Sequence, residues 1–184
     1  MAVRPQKRMT YAEYGQLPDD DGLRYELIDG ELHVSAAPNT RHQDVLLNLA
    51  VEIAGHLRMH GGGRIFIAPY EVDFFDRDAV QPDLIFVADA HSEIITPEKI
   101  FGVPSLVVEV LSSSSSRDRR IKKALYERHR VGEYWIVDPE LDRVEIYRLD
   151  QSRYGEPSLL EAGEMLTTAL MPGLAIDLSV IFER

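Results

Sequence analysis

Two almost continuously apolar segments constrain the fold most strongly: residues 83–87 (DLIFV) and residues 105–111 (SLVVEVL). Short segments that lack polar alternation are expected for central strands of a sheet covered on both faces. A further buried strand is predicted at EYWIVD, after a charged helix, and RVEIYRL is predicted to be its hairpin partner. The pattern therefore predicts a mixed β-sheet flanked by helices, an α/β or mixed α+β fold.

Length and composition indicate one domain over residues 1–184, because 45 % of the residues are apolar and no long linker interrupts the chain. The N-terminal sequence lacks the apolar stretch of a secretory signal, and no apolar run approaches the ~20 residues of a membrane span. Cysteine is absent, which excludes disulfides and thiolate metal sites. We expect a cytoplasmic protein without a membrane partner.

The charge distribution is uneven. A formal net charge of −11 argues against a protein that coats nucleic acid. Residues 117–130 (RDRRIKKALYERHR) nevertheless carry seven Lys or Arg against two acids, hence +5, which leaves −16 for the remainder of the chain. Such a local basic segment is compatible with an enzyme that holds phosphate at one place, and equally with a solvated helix face.

The N-terminal third predicts two helices and a hairpin. Thr10 is expected to cap a short helix through Leu17, which Pro18 and the acidic turn at residues 19–21 end. The segment RYELIDGELHV predicts a β-hairpin, because Asp29-Gly30 favours a type I′ turn. A long helix is predicted to begin near Asn39, and the residues at helical spacing that should face the core are Leu46, Leu49, Ile53 and Leu57.

Glu109 is the most informative residue, because it interrupts the apolar run Leu106 to Leu111. Burying a bare carboxylate costs several kcal/mol or forces protonation, unless a cation or hydrogen-bond donors compensate. One interpretation is a structural ion pair with an Arg or Lys. The other is a carboxylate that binds a metal ion.

Asp83 strengthens the second interpretation. It follows Pro82 and opens the other central strand. If the two strands are antiparallel neighbours, Asp83 and Glu109 come together, and adjacent carboxylates repel unless a positive charge lies between them. Oxygen ligands in a chain without cysteine favour magnesium, manganese or calcium. Taken alone, Asp83 is better explained as a strand-entry or turn aspartate.

The order of these motifs resembles a bacterial restriction endonuclease family, formerly a domain of unknown function, of the PD-(D/E)XK nuclease superfamily. The resemblance covers about residues 10–177. Each motif is weakly specific alone, whereas their order and spacing together are fairly specific. The matching pieces are RYELIDGEL, the helix bearing His42, QPDLIFV, VVEVLS, the D-x-x-x-K-x-x-x-Y run at Asp118, Lys122 and Tyr126, and EYWIVD.

The resemblance implies a restriction-endonuclease-like domain, with an N-terminal helix and β-hairpin, that hydrolyses phosphodiester bonds in DNA with Mg²⁺ or Mn²⁺. Asp83 and Glu109 would hold the metal, and Lys122 would complete the catalytic site. Glu26 carries over as an additional acidic group, although its hairpin position equally permits a solvent-facing role.

The lysine position departs from the usual pattern of such nucleases, in which the lysine lies two residues after the glutamate. This chain has Leu111 there, and the resemblance implies that the following helix supplies the lysine, at the position of Lys122. Lys123 competes with Lys122, which is preferred because it lies four residues from both Asp118 and Tyr126, on one helical face. The alternative for Lys122 is an exposed pair with Asp118.

Other residues are expected to contact the substrate phosphates. His42 matches a family histidine that would contact phosphate or cap structure. The remaining candidates are basic or hydroxyl side chains of the charged helix: Arg117, Arg119, Arg120, Lys123 and Tyr126.

Two other functions remain open: a catalytically silent nuclease fold that binds nucleic acid or protein, and a metal-dependent hydrolase of small phosphates with the same ligands. A homodimer is expected if the enzyme cuts both DNA strands. No recognisable motif indicates which nucleotide sequence is preferred, or whether the substrate is DNA or RNA.

Overall fold

The computed structural model describes residues 8–17, 23–75, 77–112 and 116–183, without the side chains of residues 36 and 116–118. The helices are α1 (Tyr11–Tyr14), α2 (Thr40–His60), α3 (Ser116–Arg128) and α4 (Leu178–Ile181), with a 3-10 helix at Asp89–Ile94. The strands are β1 (Leu23–Ile28), β2 (Glu31–Ala36), β3 (Gly63–Ile67), β4 (Glu71–Asp73), β5 (Ala79–Val80), β6 (Leu84–Ala88), β7 (Lys99–Phe101), β8 (Leu106–Val110), β9 (Glu133–Asp138), β10 (Arg143–Asp150), β11 (Arg153–Tyr154), β12 (Ser158–Glu161), β13 (Met165–Leu166) and β14 (Ile176–Asp177).

The two apolar segments are neighbouring central strands, β6 and β8, of a mixed sheet in the order β11-β10-β9-β8-β6-β3. β8 is antiparallel to β6 and parallel to β9, and β9 pairs antiparallel with β10. The antiparallel arrangement predicted for the two segments is therefore confirmed. Because Leu84 lies opposite Val108, one further step of the register brings Asp83 beside Glu109.

Both faces of this sheet are covered, as the absence of polar alternation predicted. Leu84, Phe86 and Val108 pack against the buried face of α2, which includes the predicted Leu46, Leu49 and Ile53. Ile85, Val87 and Val107 pack on the other face, against Leu125 and Tyr126 of α3. Side chains alternate between the faces of a strand, so Asp83 and Glu109 both belong to the α3 face.

The predicted hairpin is β1–β2, with Ile28 opposite Glu31 across a two-residue turn. Asp29 and Gly30 have φ values of 51° and 73°, and two positive φ values are the requirement of a type I′ turn. A Cβ on Gly30 would lie 2.8 Å from Cβ of Arg8, so the close approach of the N-terminal segment also requires glycine. A second sheet, in the order β2-β1-β5-β4-β7, extends from this hairpin.

The helix ends follow local capping chemistry. The predicted cap at Thr10 is confirmed as a capping box, in which Glu13 N donates to Thr10 Oγ1 and Thr10 N donates to the Glu13 carboxylate. The helix ends at Tyr14, with Gly15 as its C-cap, and not at Leu17 as predicted. The predicted terminator, Pro18 and the acidic turn, lies outside the described residues. Among those that are described, no helix is both long and apolar enough to cross a membrane.

Candidate active site

The hairpin, the central strands, α2 and α3 meet at a cavity of about 160 Å³. This volume has room for several water molecules. The charged and imidazole side chains that line the cavity come from all four of these parts of the fold: Arg24, Glu26, His33, His42, Asp83, Glu109, Arg119 and Lys122.

Glu109 projects from β8 into the floor of the cavity and is only 6 % exposed. Its Oε1 accepts hydrogen bonds from Lys122 Nζ at 2.8 Å and from the Tyr126 hydroxyl at 2.5 Å. Burial raises the pKa of Glu109 to about 7, because desolvation and the charges of Asp83 and Glu26 outweigh the attraction of Lys122. The ion pair of the alternative interpretation is therefore present. The raised pKa indicates that it compensates the charge of Glu109 only in part.

Asp83, immediately before β6, is held by three donors. Its Oδ1 accepts from Arg24 Nη1 at 2.9 Å, and its Oδ2 accepts from the backbone N of Val110 at 2.8 Å. His42 Nε2 lies 3.1 Å from the same Oδ2. Burial opposes ionisation of Asp83, but His42 and Arg24 outweigh it and lower the pKa to about 2. Asp83 is therefore ionised at neutral pH.

The depressed pKa of Asp83 predicts a pH-dependent contribution to stability. The folded-state pKa is about 2, below the unfolded value of ~3.9, so the contribution is present above about pH 4 and is lost as the pH falls towards 2. We expect Asp83→Asn to lower the free energy of unfolding at pH 7 by on the order of 2 kcal/mol. Urea unfolding of both proteins at pH 7, 4 and 2 measures this, and a difference that stays constant over that range would contradict it.

Lys122 connects the hairpin to the central strand. Its Nζ donates to Glu26 Oε1 at 3.0 Å as well as to Glu109. Gln81 N also donates to Glu26 Oε1, at 3.0 Å. Burial disfavours the ammonium, but the charges of Glu109 and Glu26 outweigh it and raise the pKa of Lys122. Glu26, at 5 % exposure, lies in the cavity wall and not on the solvent side of the hairpin.

Several of the residues that were expected to contact phosphate have other partners in the structure. The Lys123 ammonium lies 4.5 Å above the Tyr147 ring, and Tyr126 is fully buried behind Glu109. Neither side chain lines the cavity. Arg119 lines the cavity while pairing with Glu145. The side chain of Arg117 lies outside the described residues. Arg120 is exposed on α3.

The structure adds Arg24 and His33 to the residues that the sequence indicated. Arg24 also donates to the carbonyl of Gln81, at 3.3 Å, and His33 lies opposite Glu26 in the β1–β2 register. Arg24 precedes Glu26 by two residues on one strand, and residues with this spacing share a face. Strand alternation was therefore the signal that could have identified Arg24.

The donor set fits a hard divalent cation. Asp83 and Glu109 offer carboxylate oxygens, and Mg²⁺ commonly binds through one or two carboxylates while it keeps several water molecules. Within the described ranges, no group of three or more His, Asp or Glu side chains is arranged as a preformed metal cluster. A cation in this cavity would therefore be held by these two carboxylates and by water.

Comparison with known proteins relates the chain to nucleases. The model of the Uma2 family, described as "Putative restriction endonuclease", matches residues 11–179. "Uncharacterized protein sll1609" of Synechocystis sp. is 28 % identical over 156 residues, 80 % of this chain and 85 % of that protein. A crystal structure from Anabaena variabilis, described as "a putative nuclease belonging to DUF820", superposes with a TM-score of 0.79. It covers 95 % of this chain and 97 % of its own at 18 % identity, which confirms the predicted fold.

Proposed function

Because this chain belongs to the Uma2 family, we propose that it is a divalent-metal-dependent endonuclease that hydrolyses phosphodiester bonds in DNA. One observation carries the proposal. Asp83 and Glu109 lie on adjoining strands and on one face of the sheet, at a cavity where Lys122 contacts Glu109.

The electrostatics of the cavity favour an added cation. Three carboxylates and three cations line it, and one of the cations, Arg119, pairs with Glu145 outside the cavity. When all are ionised, the other five groups leave one negative charge: Glu26, Asp83, Glu109, Arg24 and Lys122. The raised pKa of Glu109, caused by burial and by the other two carboxylates, reflects the same deficit of positive charge. Asp83 and Glu109 are the residues that would hold Mg²⁺ or Mn²⁺. The bound ion would polarise the scissile phosphate and make an attacking water more acidic.

Residues around the two carboxylates would position the attacking water and the phosphate. The raised pKa of Lys122 keeps its ammonium protonated at neutral pH, so it acts as a hydrogen-bond donor and not as a general base. It would orient the attacking water or stabilise the charge that develops on the phosphate oxygens. Glu26 anchors Lys122, and Arg24 fixes Asp83 while its guanidinium lines the cavity. Arg24 and Arg119 are therefore the cations best placed to meet a phosphate.

Plasmid cleavage tests the proposal. The purified protein should nick or linearise supercoiled DNA with Mg²⁺ or Mn²⁺, and EDTA should stop the reaction. Parallel assays with RNA and with nucleoside phosphates separate DNA cleavage from the two related substrates. Cleavage that persists in EDTA, or hydrolysis of nucleotides alone, would overturn the assignment. DNA binding without cleavage in either metal would favour the silent binding module.

Metal binding should also appear as thermal stabilisation. A ligand at about 100 times its Kd stabilises by ~2.7 kcal/mol, which for a chain of this size corresponds to a rise in Tm of roughly 5–10 °C. Asp83→Asn should remove this shift, measured by differential scanning fluorimetry with Mn²⁺.

Asp78→Asn is the matched control for that shift. Asp78 is a buried carboxylate, 7 % exposed, that pairs with Arg128 and His129 and does not line the cavity. Its substitution should lower the starting Tm and leave the metal-induced shift unchanged. Loss of the shift in both variants would mean that the cation binds elsewhere or that the effect is non-specific.

A further inference from the structure

The solvent face of α2 carries an apolar stripe that the core does not use. Leu47, Val51 and Met59 are 60 %, 58 % and 79 % exposed, at intervals of four and eight residues along the helix. Gly55 continues the four-residue spacing, and a Cβ at this position would meet nothing within 4 Å. The opposite face of α2 already supplies the core, so this stripe contributes nothing to the packing within the chain.

Two opposite charges lie on either side of the centre of the stripe. Asp44 and Arg58 are exposed on α2, and the ion pairs among the described residues include neither of them. They are 14 residues apart, so they lie ~21 Å apart and almost on the same side of the helix. Val51 is the residue midway between them.

We propose that this face binds the same face of a second copy of the chain, with the two α2 helices antiparallel and a two-fold axis at Val51. In that register Asp44 of each copy faces Arg58 of the other, and Leu47 of each copy packs onto Gly55 of the other. Val51 packs on its own equivalent at the axis. An isologous interface requires such self-complementarity, and this surface has it in both charge and side-chain size.

The neighbouring helix extends the surface. Asn48 Nδ2 donates to the carbonyls of Val180 and Ile181, which holds α4 beside the stripe. Val180 is 43 % exposed there and adds apolar area. The contact of α2 and part of α4 is at the small end of specific interfaces, so we expect a dimer that dissociates measurably on dilution.

The pairing has a consequence that rests on the proposed function. His42, which contacts Asp83, lies on α2 two residues before Asp44. Nine residues separate His42 from Val51 in each copy, so the two cavities would be offset by ~27 Å along the helix axes. A dimer of this kind would carry two catalytic sites, the number needed to cut both strands of a DNA duplex.

Charge reversal tests the register. Analytical ultracentrifugation of the full chain should show a monomer–dimer equilibrium. Asp44→Arg or Arg58→Asp alone should raise the dissociation constant by about tenfold or more, because like charges then face each other twice. The double variant Asp44→Arg/Arg58→Asp should restore dimerisation. Unchanged dimerisation in the single variants, or no recovery in the double variant, would overturn the arrangement.

The absence of cysteine allows a second test. Packed helices are ~8–10 Å apart, which brings Cα atoms at the axis to about 4–5 Å, within the range that a disulfide spans. Val51→Cys should therefore form a covalent dimer on mild oxidation. Leu159→Cys, at a position 54 % exposed on β12, should form no covalent dimer under the same conditions.

Different results would overturn the dimer proposal and the nuclease proposal. A full chain that sediments as a monomer at every concentration, or a Val51→Cys protein that does not cross-link, overturns the dimer whatever the nuclease assay shows. Absence of metal-dependent cleavage by a chain that dimerises with the predicted charge dependence overturns the nuclease proposal and leaves the interface standing.

Discussion

Glu109→Gln should abolish DNA cleavage and leave the fold about as stable as that of the wild-type chain. The amide oxygen can still accept from Lys122 and Tyr126, the two donors to the carboxylate. Burial and the nearby carboxylates already disfavour the charge of Glu109, whose pKa is raised to about 7, so a neutral side chain costs little. Loss of a supporting metal-site residue typically costs 10–100-fold, so removal of a direct ligand should reduce the rate at least ~100-fold.

The control is Glu133→Gln on the adjoining strand β9. Glu133 is buried to a similar extent, at 5 % exposure, but accepts from Trp135 and Thr168 and does not line the cavity. This variant should keep its cleavage rate. Initial rates on supercoiled plasmid and urea unfolding curves measure both properties. Full activity in Glu109→Gln would remove Glu109 from the proposed metal site.

Lys122→Met should lose both activity and stability. The ammonium is the shared partner of Glu26 and Glu109, and removing one member of a buried ion pair typically costs ~3–5 kcal/mol. Loss of a donor that stabilises developing charge lowers the rate by ~100- to 1000-fold. Plasmid cleavage and chemical denaturation are the measurements.

The instability of Lys122→Met should depend on pH with a definite sign. Lys122 is the main group that lowers the pKa of Glu109, so without the ammonium burial raises that pKa further in the folded state. The folded variant then binds more protons than the unfolded chain. The loss in the free energy of unfolding, relative to the wild-type chain, should therefore be largest above neutral pH and become smaller as the pH falls. A deficit that grows on acidification would contradict this account.

Lys123→Met separates the two candidate lysines. Lys123 lies over the Tyr147 ring, so its substitution should cost only the ~0.5–1 kcal/mol of an exposed cation–π contact. Cleavage should continue at the wild-type rate. Loss of cleavage in Lys123→Met with retention in Lys122→Met would reverse the assignment.

Much of the fold was predictable because its signals are local. The apolar segments around Ile85 and Val107 indicated central strands, and strand pairing then brought Asp83 beside Glu109. Asp29 and Gly30 indicated the turn, since few other residue pairs adopt two positive φ values. Each of these features depends on residues within one element or in two adjacent ones.

The partners of the site residues were less predictable. The basic helix indicated a phosphate-binding surface, yet Arg119 pairs with Glu145, Arg128 pairs with Asp78, and Lys123 packs on an aromatic ring. These contacts join α3 to residues that are distant in the sequence, so composition alone could not predict them. Arg24 was missed for the same reason, because its partner Asp83 lies 59 residues away.

The sequence by itself determined which strands are buried, where the turn lies, and that a carboxylate at position 109 needs compensation. These properties follow from side-chain chemistry and from the two-residue and 3.6-residue periods of strands and helices. The sequence favoured Lys122 over Lys123 as the lysine of the site. Only the tertiary structure decided that Lys122 contacts Glu109, that Glu26 faces the cavity, and that Arg24 holds Asp83. Long-range packing sets these choices, since it determines which of several suitable side chains come within bonding distance.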